Sequence, residues 1–298
     1  MTEEVVLLRR CSVGELDASY RAVFMPQGLG DILFFLMYVT PYRQIIPEER
    51  IAVVVIKKHF MQLAELFADR IDALCYLDMA EEPIWQSKMT YLYDGIYNSD
   101  PQPYLLRAIQ NAMGLPENAR AYLPKLPQPR NTEELEKQYP VRQGRTILIA
   151  PDAVSCSINV SDVTWFRIAA LCTQAGFSVL FNVADSGRFG NYPTVFLSLV
   201  ETLHLIAKGG NFIGFRSGLC DVMAAFTDVN SLILYPSNKQ PGEFPSILGY
   251  NTDPSGAYMR YCSLKNIFPQ RRMTEMLYRG EDDLLRVVIN EVNKWQEC

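Results

Sequence analysis

The sequence is short of the residues that most often mark a catalytic or metal centre. It has two histidines, His59 and His204, and seven cysteines with no CxxC pair and no Cys/His grouping at metal-ligand spacing. No Ser-His-Asp order is assignable and no glycine-rich Walker loop occurs. The absence of clustered cysteines points to reduced thiols and no metal. No Lys/Arg run appears and the net charge is −5, which argues against a nucleic-acid partner. The most membrane-like run, "ILFFLMYV", has eight apolar residues, whereas a spanning helix needs about 20. The start, "MTEEVVLLRR", carries acids where a secretory signal carries positive charge. The expectation is a cytoplasmic chain without a transmembrane segment, peripheral membrane contact being left open.

What is present is ordinary globular material: 298 residues, 49% apolar, 11% aromatic and 20% charged, enough for two domains with sizeable cores. Short β-rich runs alternate with helix-period segments. In the first half these include "YRAVFM", a helix from about Asp31, "RIAVVVIKK", "HFMQLAELFADR", "IDALCYLD" and "PYLLRAIQNAMG". Prolines 116, 124, 127 and 129 then mark a linker. A short acidic helix, "NTEELEKQYP", leads into a second alternating series, "TILIAPDA" to "NSLILYP". Its strands are nearly continuous apolar runs, as in a parallel sheet covered on both faces. A last helix, "EDDLLRVVINEVNKWQ", has apolar residues at 284, 285, 288, 289, 292 and 295 and docks that face on a domain. The expected class is α/β: two doubly wound Rossmann-like domains, 1–130 and 131–298, facing a cleft with ligands at the strands' carboxyl ends.

Two turns carry the candidate chemistry. In "MPQGLGDIL", Gly28 and Gly30 allow positive φ and a close approach of backbone to ligand, and Asp31 falls in the first helical turn. Leu33 stands where a dinucleotide fingerprint would need glycine or alanine. Asp31 is either a general base reaching into the cleft or a helix cap folded onto its own amides. In "NFIGFRSGLCDVMAAF", an apolar strand ends at Phe215 and a helix begins at the turn formed by Arg216, Ser217 and Gly218. The first amides there, through Leu219, make an anion site, and Arg216 supplies a positive fork suited to phosphate. The plain alternative makes Ser217 an N-cap and Arg216 a surface charge. Ser155 and Ser157, in "APDAVSCSIN", Asp185, in "NVADSGR", and Asp221 are candidate donor or acceptor contacts, and turn chemistry accounts for the first three about as well. The histidines carry little weight in either reading.

The first of these turns, "GLGDIL", resembles the "GxxGD" start of the bacterial heptosyltransferases, the ADP-heptose:lipopolysaccharide transferases. The run "LSLVETLHLIAKGGNFIGFRSGLCDVMAAFTDVNSLILYP" is similar in order to that family's donor domain. The resemblance implies the GT-B fold, with Asp31 as base, an N-terminal acceptor-binding domain and a C-terminal nucleotide-sugar-binding domain. The family usually has an acid at the position of Arg216 and a histidine at that of Asp221, so donor identity does not carry over. The implied function is a glycosyltransferase of hexosyl or heptosyl type, acting in bacterial surface glycan synthesis such as that of lipopolysaccharide. It would move a sugar from a nucleotide diphosphate sugar to a hydroxyl of a glycan or lipid-linked acceptor, with inversion. No D-x-D triplet occurs to hold a divalent ion at a diphosphate, so neither metal nor other cofactor is expected. The rivals are a nucleotide-sugar epimerase of the same fold and a non-catalytic nucleotide- or glycan-binding module.

Overall fold

The computed structural model describes residues 8–25, 28–77, 105–139, 141–153, 159–237 and 257–297. The chain divides into two compact units, Met1–Leu126 and Pro127–Cys298.

The first unit runs β1 (Arg9–Cys11), β2 (Tyr20–Phe24), α1 (Leu29–Met37), α2 (Val39–Ile45), β3 (Arg50–Val55), α3 (Lys58–Glu65), β4 (Ala73–Tyr76) and α4 (Leu105–Ala112). Its described strands form one parallel sheet in the order β1-β4-β3-β2. Strand β3 is buried from Ile51 through Val55, as a strand covered on both faces must be. Helix α1 is buried at every position from Ile32 to Met37, so the apolar run after Asp31 is a core helix. The edge strand β1 is not foreshadowed in the sequence, because three residues, two of them arginines, show no strand period.

The second unit runs α5 (Thr132–Gln138), β5 (Thr146–Ala150), α6 (Asp162–Gln174), β6 (Ser178–Asn182), β7 (Thr194–Val195), α7 (Leu199–Gly209), β8 (Gly210–Phe215), α8 (Gly218–Phe226), β9 (Asn230–Tyr235), α9 (Ala257–Tyr261), α10 (Leu264–Ile267), β10 (Met273–Leu277) and α11 (Glu281–Gln296). All six strands are parallel, in the order β10-β9-β8-β5-β6-β7. From β5 the chain winds outward to β6 and β7, then returns to β5's other side and winds through β8, β9 and β10. This is the Rossmann order, and its reversal falls between β5 and β8. The core joins Ile147 and Ile149 of β5, Trp165 and Ile168 of α6, Ile213 of β8, Leu232 and Leu234 of β9, and Val288 and Val292 of α11. Helix α11 buries Leu284, Leu285, Val288, Val292 and Trp295, while Ile289, counted with that face in the sequence, is 42% exposed.

Helix α7 is set by both its ends. Ser198 and Glu201 form a capping box, the Ser198 amide donating to Glu201 Oε2 at 3.0 Å. At the other end Gly210 closes the helix with φ +83°, and a Cβ there would lie 2.9 Å from Gly144 Cα. That closure turns the chain directly into β8, which aims Phe215 and the residues after it at the reversal point.

Candidate functional site

In a doubly wound sheet the loops at the reversal point diverge and leave backbone groups open to a ligand. Here those loops follow Ala150 and Phe215, the last residues of β5 and β8, whose strands pair with Ala150 opposite Gly214. The Arg216 amide donates to Leu234 O at 2.8 Å and extends the β8–β9 ladder by one residue. Ser217 is then the N-cap of α8 in extended conformation, φ −152° and ψ 169°. Its hydroxyl does not cap the helix and instead faces Cys220 Sγ at 3.6 Å. The Cys220 and Asp221 amides both donate to Ser217 O, at 2.9 and 3.3 Å. The amides of Gly218 and Leu219 precede that first closed turn and belong to the set a helix leaves open at its start. The positive end of α8 therefore points out of the sheet with an uncapped first turn.

Arg216 departs from the expectation for it. Its side chain is 6% exposed, and its fork meets Asp221 rather than solvent: Nη1 donates to Oδ2 at 2.7 Å and Nη2 lies 2.6 Å from Oδ1. The guanidinium also donates to Ser217 O at 3.0 Å and, through Nε, to Cys262 O at 3.2 Å. It is a buried, paired guanidinium and not the surface charge of the plain alternative. Asp221 is the partner of that fork: burial raises its pKa and Arg216 opposes the rise. The physical reason is a buried Asp one turn into an apolar helix, which demands a cation, and Arg216 is the cation within reach.

A second polar network adjoins the first. The hydroxyl of Tyr235, the last residue of β9, lies 2.5 Å from Glu275 Oε1 and 3.1 Å from Cys262 O, and its one proton serves either acceptor. Glu275 also accepts from Ser263 Oγ at 2.6 Å and from the Leu264 amide at 2.7 Å. Arg216 and Tyr235 thus share the Cys262 carbonyl, which ties the α9–α10 connection to the carboxyl ends of β8 and β9. The signal in the sequence is a glutamate inside a strand, "MTEML", which invites a search for its partners.

On the β5 side, Arg188 bridges Asp152 and Asp162, with Nη1 2.8 Å from both Asp152 oxygens and Nη2 2.7 Å from Asp162 Oδ1. The clamp joins the end of β5 to the start of α6. Ser155 and Ser157 lie outside the described residues. Asp185 is exposed and accepts the Gly187 amide at 2.9 Å, so its carboxylate serves its own turn. His204 Nε2 lies 3.2 Å from Glu136 Oε1, joining α7 to α5.

In the first unit, Gly28 is the N-cap of α1 with φ −144°, an extended residue with no positive φ, and Gly30 is buried inside the helix. The expectation of left-handed glycines is therefore corrected. What Gly28 provides is room: a Cβ there would lie 3.0 Å from Asp31 Oδ2. The half-buried Asp31 carboxylate thus lies back over the N-cap of its own helix.

Among the described residues no helix is long and apolar enough to cross a membrane, and no cluster of three or more His, Cys, Asp or Glu could hold a metal ion. Neither a family model nor a curated protein matches the chain. Solved structures do. The ADP-heptose lps heptosyltransferase II of E. coli superposes with a TM-score of 0.61 at 13% identity, over 93% of this chain and 98% of that one. A glycosyl transferase family 9 protein of Veillonella parvula gives 0.60 at 12%, over 95% and 98%. The E. coli heptosyltransferase WaaC with ADP gives 0.55 at 11%, over 92% and 99%. With its parallel sheets and Rossmann order, the chain has the GT-B fold and resembles the heptosyltransferases in architecture.

Proposed function

We propose that the chain is a glycosyltransferase that takes a sugar from a nucleotide diphosphate donor. The observation that carries this is the uncapped N-terminus of α8 at the Rossmann reversal point, in a fold shared with heptosyltransferases. The second unit binds the donor. Its diphosphate accepts hydrogen bonds from the Gly218 and Leu219 amides and the Ser217 hydroxyl, and the α8 dipole stabilises charge gathering on it as it leaves. Arg216 and Asp221 act through position: they hold Ser217 and the first turn of α8 in place and do not touch the phosphates. The first unit binds the acceptor, whose hydroxyl oxygen attacks the anomeric carbon. The bond to the diphosphate oxygen breaks, the configuration inverts, and Asp31 takes the hydroxyl proton. No step uses a metal. The donor neighbours named with ADP or ADP-heptose make an adenine nucleotide the first to try. A glycan or lipid-linked acceptor and a cytoplasmic site of action complete the reading.

A second reading rests on Asp31 Oδ2 lying beside Gly28. A carboxylate engaged in capping is a poor base, and the chain would then be a nucleotide-binding module without turnover.

One pair of measurements separates them. A thermal-shift screen of nucleoside diphosphates and their sugars identifies the donor, because a ligand that binds only the folded state raises Tm. Transfer is then followed for the wild type and Asp31→Asn. The enzyme reading expects turnover to fall by about 10²–10⁴ with donor affinity unchanged, since Asn still caps but accepts no proton. Wild-type binding without any product, or an Asp31→Asn chain with a normal rate, would remove Asp31 from the mechanism.

A further inference from the structure

Strands β1 and β4 run parallel with Arg9 opposite Ala73, Arg10 opposite Leu74 and Cys11 opposite Cys75. Directly opposed residues share a face of the sheet, and here the two sulfurs lie 3.3 Å apart. Cys75 is buried and Cys11 is partly exposed. Cys75 belongs to a small apolar cluster with Val13, Ala22, Phe24, Val54 and Leu77, and Cys11 packs against it. Neighbouring strands stand about 4.7–4.9 Å apart, inside the range of about 4.4–6.8 Å between Cα atoms that a disulfide tolerates. Closing the remaining gap between the sulfurs calls for turning the side chains about their Cα–Cβ bonds. The other buried thiols among the described residues are placed differently: Cys172 lies in the core under α6, Cys220 donates to Phe215 O at 2.9 Å, and Cys262 lies between α9 and α10.

We propose that Cys11 and Cys75 are a dithiol site, which a small disulfide such as glutathione disulfide converts to an intrachain disulfide between β1 and β4. The partly exposed Cys11 thiolate attacks one sulfur of the oxidant, breaking its S–S bond and releasing one glutathione thiolate. Cys75 then attacks Cys11 Sγ in the mixed disulfide and releases the second. The protons of the two protein thiols end on the two glutathione thiolates, so one oxidant is reduced to two thiols as one protein disulfide forms. Burial and the adjoining sulfur push the Cys75 thiol up, which leaves the first attack to Cys11. The bond would pin β1, a three-residue strand at the sheet's edge, and close a ring containing β2, α1, β3 and α3, and hence the Asp31 turn.

The test uses the full chain, folded, incubated with glutathione disulfide, alkylated and digested without reduction. The expected product is a cross-linked peptide pair containing residues 11 and 75, with the intact mass lower by two hydrogens and restored by dithiothreitol. Oxidation should also raise Tm by several degrees, a rise that Cys11→Ala abolishes. Two results would overturn the proposal: a glutathione adduct persisting on Cys11 as the end product, or no change in the folded chain where the urea-unfolded chain is oxidised. Both are read on the wild type, so neither depends on how well the variant folds.

Discussion

Removing the Arg216 guanidinium would strand the Asp221 carboxylate among Cys220, Val222, Met223 and Ala224, all buried. Breaking such a pair from one side costs about 3–5 kcal/mol, because the remaining charge has neither water nor a partner. Arg216→Ala should therefore lower stability by that amount in denaturant unfolding, and any loss of donor affinity should come with a loosened α8 start. Replacing both residues by leucine should cost less than the two single changes summed, since no buried charge remains. Strict additivity of the three variants would show that the ion pair is not the coupling. From sequence the two residues look separate, Arg216 suited to a phosphate and Asp221 to a contact of its own. Five positions apart across a strand end and a helix turn, they show no periodic link, and only burial at both forces them together.

At the scale of elements, the long ones were legible because their signal is burial itself. "RIAVVV", "TILIA" and "NSLILY" are continuous apolar runs, and each is a parallel strand buried almost throughout. The short edge strands β1, β7 and β10 were not legible, since two to five residues with polar members such as Thr274 and Glu275 resemble connecting turns. Of the candidate site, the strand-to-helix turn at Ser217 could be placed from sequence, whereas the posture of Asp31 could not, because capping and catalysis ask for the same residue in the same turn. Helix ends are a middle case. Gly176 and Gly210 both have positive φ, +85° and +83°, but a Cβ at 176 meets open space while one at 210 meets the Gly144 backbone at 2.9 Å. Alanine at 176 should cost only the left-handed penalty, about 1–2 kcal/mol. Alanine at 210 should cost clearly more, since a backbone atom cannot swing aside. Equal costs in denaturant unfolding would mean that the α7–β8 corner yields and the contact is not what fixes it.

The whole molecule responds to acid through carboxylates spread over both units. In the first, Glu15 is held below the usual carboxylate range by the Ser12 amide, Asp17 by the Ser19 hydroxyl and Glu49 by the Arg21 guanidinium. In the second, Lys208 lowers Glu136, and the Thr164 hydroxyl lowers Glu281. A depressed folded-state pKa means that the unfolded chain binds the proton more readily. Each group's contribution is therefore complete above its unfolded pKa, about 3.9 for Asp and 4.3 for Glu, and is lost as pH falls through the lower folded value. Asp221 has the opposite sign, because burial raises its pKa and the folded state then holds that proton more tightly. One group opposes five, and the five are exposed or half-buried, where each is worth little, so the loss should be gradual. Calorimetric Tm should stay level from pH 7 to about 5 and then fall through the range where these carboxylates protonate. Added salt should shrink the parts owed to Lys208 and Arg21 and leave those owed to the Ser12 amide and the Ser19 and Thr164 hydroxyls largely intact. A Tm that held constant or rose between pH 5 and pH 3 would show that the buried Asp221 outweighs the surface carboxylates.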